Sequence, residues 1–280
     1  MRNVWLLTKY TIREALSKKI FLAFTGVSTF VLLVFMGLFV FLGFEDFLPM
    51  VKTGGEELDL IGEIVNIFKS IVVVPLFGGG IFLSIFAVSS FIPSLLEKGN
   101  VDLFLSKPIS RPQIILGKFF GGVIIVFANI FYLVFGLYLL LGMKFGNWDP
   151  YVFNAVLLTT FTFASLYAMI ILVGVLTRSS ILAMMISYVI FFILSPMLVA
   201  REEIYILLDN SFIEFLIDAF YYIIPKTTEL GKITFEMSEL GREVVGDDNM
   251  SSIWQPILTT FGFMILNLAG SIFTFNKNDY

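Results

Sequence analysis

The segment from Glu97 to Lys118 carries a dense alternation of charged and apolar side chains. Val101, Leu103, Phe104 and Leu105 are interleaved with Asp102 and Lys107, the make-up of a short element that docks in a partner's groove by burying apolar groups inside a polar rim. A solvated loop with no special role has the same make-up. Just beyond it, Ser110 can cap a helix and Pro112 suits a first turn, where no N–H is needed, so the spacing predicts a helix restarting at Arg111. The chemistry on offer is recognition rather than bond cleavage.

Bond-making chemistry has little to work with. The chain contains no cysteine and no histidine, which removes disulfides, thiolates, the usual neutral-pH proton shuttle and the commonest metal ligand. Glu202, Glu203 and Asp209 are the clustered acids a membrane-bound enzyme would use, yet no histidine or cysteine accompanies them. The acidic groups between Glu229 and Asp248 lack the ligand spacing of a calcium loop. There is no Gly-x-x-x-x-Gly-Lys-Ser/Thr phosphate loop. The expectation is a chain with no catalytic residue, cofactor or metal of its own.

The elements that position these residues follow from hydropathy. Of the 280 residues 58% are hydrophobic and 14% charged, where a soluble domain carries about 25% charge. Crossing a hydrocarbon core of about 30 Å takes about 20 residues of helix. Stretches that long and free of charge predict spans at about 20–44, 70–96, 119–143, 152–177, 179–200 and 253–275 within a single transmembrane domain, 1–280. A β-barrel would instead show short runs of alternating polarity. Residues 1–18 predict an amphipathic elbow helix on the membrane surface, with Val4, Trp5, Thr8, Ile12, Ala15 and Leu16 on its apolar stripe and Lys9 and Arg13 beside it. Pro75 and Gly78-Gly79-Gly80 predict either close helix packing or a local break in the second span.

Charge assigns the sides. With an inside amino terminus, the inside segments hold eleven basic residues against four acidic ones, and the outside segments seven against eighteen. Basic loops stay in the cytoplasm, so both termini are expected there, in a multi-pass protein of the cell inner or plasma membrane. The outside segment 201–248 contains an apolar run, 212–225, too short to span comfortably, with Glu214 and Asp218 on one face. It predicts a re-entrant or interfacial helical segment before the last span.

The uncharged stretches contain no carboxylate, lysine or arginine to hold a driving ion, which weighs against an ion-coupled secondary carrier. Asn129 and Asn267 are the polar groups hardest to hide in lipid. Each predicts a helix–helix hydrogen bond or a place lining a translocation path.

The stretch Glu97-Lys-Gly-Asn-Val-Asp-Leu-Phe-Leu-Ser-Lys-Pro-Ile-Ser-Arg-Pro-Gln-Ile-Ile-Leu-Gly-Lys118 resembles the loop between the second and third spans of ABC-2-type exporter permeases. Leu105-Ser-Lys-Pro-Ile-Ser-Arg111 and Gly117-Lys118 match that family's phrases, while Gly99-Asn100-Val101 stands where many relatives have a glycine-threonine step. The similarity extends over the amphipathic start, the six spans, Tyr221-Tyr-Ile-Ile-Pro225 and the tail Phe275-Asn-Lys-Asn-Asp279. It implies the transmembrane subunit of an ABC transporter, pairing with a second copy or a related permease and with two cytosolic ATPase subunits that carry ATP and magnesium. It also implies export, of a cargo the sequence does not name, and a coupling role for 97–118 through Glu97, Asp102, Leu103, Phe104, Lys107 and Arg111. Membrane lipids are expected partners and nucleic acid is not.

Overall fold

The described part of each uncharged stretch is mainly helical, because a backbone in hydrocarbon must satisfy its hydrogen bonds internally. The computed structural model describes residues 2–17, 19–42, 60–91, 93, 109–208, 211–239 and 250–277, and among them there is no strand. In chain order they form α1 (Arg2–Ser17), α2 (Lys19–Phe41), α3 (Leu60–Pro75), α4 (Ile81–Val88), α5 (Arg111–Phe145), α6 (Phe153–Thr177), α7 (Ser180–Val189), α8 (Ser195–Val199), α9 (Arg201–Leu208), α10 (Ser211–Ile223), α11 (Thr227–Glu239) and α12 (Met250–Lys277). A π turn at Leu76–Gly80 joins α3 to α4, and another at Ile190–Leu194 joins α7 to α8. Among the described residues six helices are long and apolar enough to cross a membrane: Phe21–Phe41, Ile64–Val88, Arg111–Phe145, Pro150–Thr177, Ser180–Val199 and Ile253–Lys277. The chain is an all-α polytopic membrane protein.

The helices outrun the uncharged stretches. α5 has 35 residues, about 52 Å of helix at about 1.5 Å per residue, against a hydrocarbon core of about 30 Å. Absence of charge therefore marks the part in hydrocarbon and not the helix ends. Lys69, Lys118 and Lys144 consequently lie on helices, and each is compensated. Lys69, buried in α3, pairs with Asp149, which also accepts from the Tyr151 N–H at 2.9 Å and so caps the start of the fourth span. Lys118 pairs with Glu14 of α1 at 2.5 Å. Lys144 donates to the carbonyls of Phe39 and Leu42 at 2.6 and 2.8 Å, closing the carboxyl end of α2 with a positive charge where the helix dipole favours one.

α6 is the central post. Phe163, Leu166, Tyr167, Ala168, Ile170 and Ile171 are all fully buried, and α5, α7, α11 and α12 pack around them; a helix apolar on every face belongs inside such a bundle. The last span is the most peripheral, with Trp254, Leu258, Leu266 and Phe273 more than half exposed.

The glycines of the second span resolve in favour of the local break. A Cβ on Gly78 or Gly79 would meet nothing within 4 Å, so no other part of this chain packs closely on them; they lie in the π turn after Pro75, which cannot donate into the ladder. That turn faces the π turn of the fifth span, with the Phe77 and Phe191 rings 6.0 Å apart and Phe82 stacked on Tyr188 at 4.6 Å.

α1 packs along the first turns of α5, but rotated from the predicted stripe. Leu7, Thr8, Thr11 and Ala15 are buried, while Trp5 and Leu16 are 54% and 51% exposed. The reason is space. A Cβ on Gly117 would stand 2.4 Å from the Leu7 Cβ, and one on Gly121 2.5 Å from the Thr11 Cβ, so the glycines of α5 make room for Leu7 and Thr11, and Trp5 and Leu16 turn outward.

Candidate coupling and pathway sites

The amino end of α5 is a junction. Ser110 is extended, and its N–H donates to the Gln113 Oε1 at 3.2 Å, closing the predicted cap. Arg111 then leaves its own helix: its Nη1 donates to the carbonyls of Phe275 and Asn276, both at 2.9 Å, and its guanidinium lies 5.9 Å from the Phe275 ring. Those carbonyls are among the unpaired acceptors at the carboxyl end of α12, and a guanidinium there satisfies both and complements the helix dipole. One turn or two further on, Lys118 reaches Glu14, lies 5.6 Å from the Tyr10 ring and 5.9 Å from that of Phe91, and offers its carbonyl to the Tyr167 hydroxyl at 3.1 Å. Thus α1, the far end of the second span, α6 and α12 all meet the base of α5, and the amino end of α1 and the carboxyl end of α12 lie at this end of the bundle. Arg111 is the one predicted coupling residue with a described position. Glu97, Asp102, Leu103, Phe104 and Lys107 lie outside the described residues.

The two asparagines have different surroundings. Asn129, buried in α5, donates through Nδ2 to the Ser28 Oγ of α2 at 3.0 Å, and its Oδ1 accepts no bond. Asn267 donates to the Phe263 carbonyl of its own helix at 2.8 Å. They share no hydrogen bond. Ser28 borders a cleft of about 450 Å³ between the first two spans, whose other walls, Phe24, Val31, Phe35, Val72 and Leu83 among them, are apolar.

At the other end of the bundle, most of the run 212–225 lies in α10, whose 13 residues, Ser211–Ile223, extend about 20 Å, too short to cross. α11 follows it after a turn at Ile224–Lys226 and packs on the second, fourth and last spans. That turn lies beside the spans: the Lys226 N–H donates to the Thr260 Oγ1 at 3.1 Å, and the Thr228 N–H to the Ser195 Oγ at 3.0 Å. Gly231 of α11 lies under the Phe77 ring of the second span, 2.8 Å from where its Cβ would be. Charged groups lock the turn. Arg201 lies over the Tyr221 ring at 3.6 Å and 3.5 Å from Asp218; the hydroxyl of Tyr205 donates to Asp218 at 2.7 Å and that of Tyr221 to Glu229 at 2.6 Å. Lys226 is buried, its ammonium 2.8 Å from the Tyr221 ring centroid and 3.7 Å from Glu229. Burial pushes its pKa down to about 8, with the Glu229 carboxylate opposing the shift.

The sequence signals the helix that carries Glu229, since Leu230, Ile233 and Thr234 recur at helical spacing after the Pro225 break, but not the network that Glu229 joins. Of the acids considered for an enzyme, Glu202 and Glu203 are exposed and Asp209 lies outside the described residues. No group of three or more acidic residues able to hold a metal occurs among the described residues.

Comparison with known proteins gives one family. Residues 12–280 match the family described as "ABC-2 family transporter protein". No curated protein matches the chain.

Proposed function

This chain belongs to the ABC-2 transporter family, and from that membership we propose that it is the permease half of an exporter driven by two ATPase subunits on other chains. Membership makes it a transmembrane component of an ABC transporter that works with ABC ATPase subunits. Two permease chains, identical or related, line the translocation path. ATP, bound with magnesium on the ATPases, draws those subunits together, and each pushes on a 97–118 loop. Both termini and that loop face the cytoplasm, and the 201–248 segment gates the opposite side.

The observation that carries this proposal is the junction at the base of α5. A push on the segment entering at Ser110 meets a helix bonded to α12 through Arg111, to α1 through Lys118 and Glu14, and to α6 through Tyr167. Load applied at one loop thus has rigid paths into three other helices. A ligand-driven shift needs differential binding to two states, and nucleotide on the partner chains supplies it. The test is co-expression with a candidate ATPase: the two chains are expected to co-purify, and Glu97→Ala combined with Asp102→Lys to weaken the complex and uncouple ATP hydrolysis from it. Undiminished association and coupling in that double variant overturns the proposal.

A further inference from the structure

Two spans break by the same means and at the same level. In the second, Pro75 precedes the π turn at Leu76–Gly80; in the fifth, Pro196 follows the one at Ile190–Leu194. A proline has no N–H for the helical ladder, and its ring crowds the carbonyl four residues back. The ladder shifts beside it: the Ser195 N–H donates to the Ile190 carbonyl, five residues back. The two spans run in opposite senses, with Phe77 6.0 Å from Phe191 and Phe82 stacked on Tyr188. Each proline therefore lies on the α11 side of its turn.

Separate ties hold the two sides of this level. Toward the base of α5, the Phe82 and Tyr188 rings stack at 4.6 Å and the Tyr188 hydroxyl donates to the Phe82 carbonyl at 3.0 Å, which makes α4 and α7 a pair. On the other side α11 joins the spans. Its Gly231 lies under the Phe77 ring, and Thr228 donates through its N–H and its hydroxyl to the Ser195 Oγ at 3.0 and 3.1 Å. Lys69 further anchors α3 to Asp149, at the start of the fourth span. Between the ties there is room to bend. Gly78 and Gly79 have open space where a Cβ would stand, and Pro75, Leu76, Gly79 and Gly80 border the cleft of about 450 Å³ between the first two spans. Glycine pairs and π turns are where helices bend.

We propose that the two π turns are one hinge, about which α4 and α7 flex together against α3, α8 and α11. A joint of this kind lets the helices on one side of the membrane move while the other side keeps its packing. The hinge stands whether or not a separate ATPase drives the chain, because every tie in it lies within this chain. If the turns share one opening, a change that stiffens either slows the local opening of both.

The test measures amide exchange of the full chain in lipid nanodiscs, over 76–80 and over 190–194. Gly78→Ala combined with Gly79→Ala adds methyl groups where nothing stands within 4 Å, on a backbone outside the left-handed region; a melting curve checks that the fold is kept. Each substitution favours the helical backbone by about fivefold, so exchange at 76–80 is expected to slow by about fivefold or more. Exchange at 190–194, which the substitutions do not touch, should slow by a similar factor. Ser195→Ala, which releases α11 from the fifth span, should speed exchange at both turns. In a Tyr188→Leu chain, without the stack and the hydroxyl bond to Phe82, the glycine substitutions should slow 76–80 as before and 190–194 less. Slowing confined to 76–80 while Tyr188 is in place overturns the proposal. So does a rise confined to 190–194 in Ser195→Ala, an effect at 190–194 that Tyr188→Leu leaves undiminished, or turns that exchange no faster than the helices beside them.

Discussion

A helix that ends in a bundle leaves carbonyls that need donors, and this chain supplies them from neighbouring helices. Arg111 serves α12 and Lys144 serves α2. Arg111→Ala should cost about 1–2 kcal/mol and raise amide exchange at 270–277, with Arg111→Lys losing less; unchanged exchange there would remove the tie. Lys226 makes a second prediction, through pH. Its unfolded-state pKa is about 10.4, and the folded value is pushed down to about 8. Between these values the unfolded chain holds the proton that the folded chain has lost, so stability rises with pH across that window. Melting in detergent should show this rise in the wild type and a smaller one in Lys226→Met. Equal slopes would place the lysine in water.

Close approach and broken helices decide how the elements fit. Gly121→Val forces a branched side chain against Thr11, whose Cβ is already only 2.5 Å from the position of a Cβ at 121; overpacking of this kind costs about 1–3 kcal/mol, and a disulfide trap between α1 and α5 should then form more slowly than in the parent. The six spans were legible in the sequence because hydrocarbon tolerates only uncharged helices. The cap at Ser110 was legible because its side chains act locally. The rotation of α1 was not, since periodicity finds an apolar face but not which part of it the glycines of another helix select. Nor was the network around Tyr221, whose partners Arg201, Asp218 and Glu229 lie on α9, α10 and α11 and meet only in the folded chain. The coupling roles rest on resemblance throughout; for Arg111 the structure adds only that its guanidinium is engaged with α12.

Six helices are long and apolar enough to cross, and the 13 residues of α10 are too few for a seventh. Reporter fusions at residue 1 and residue 280 should therefore give the same sidedness, cytoplasmic if the charge asymmetry sets it; opposite sidedness would require the 201–248 segment to span. The central claim is that a separate ATPase drives this permease through the loop ahead of α5, and site-specific photocrosslinking in the intact complex tests it most directly. A photoreactive phenylalanine analogue at Phe104 should capture the ATPase chain, with capture falling in Asp102→Lys, while the same analogue at Trp148, at the other end of the bundle, captures none. An ATPase that co-purifies but crosslinks no better from Phe104 than from Trp148 would contradict the account.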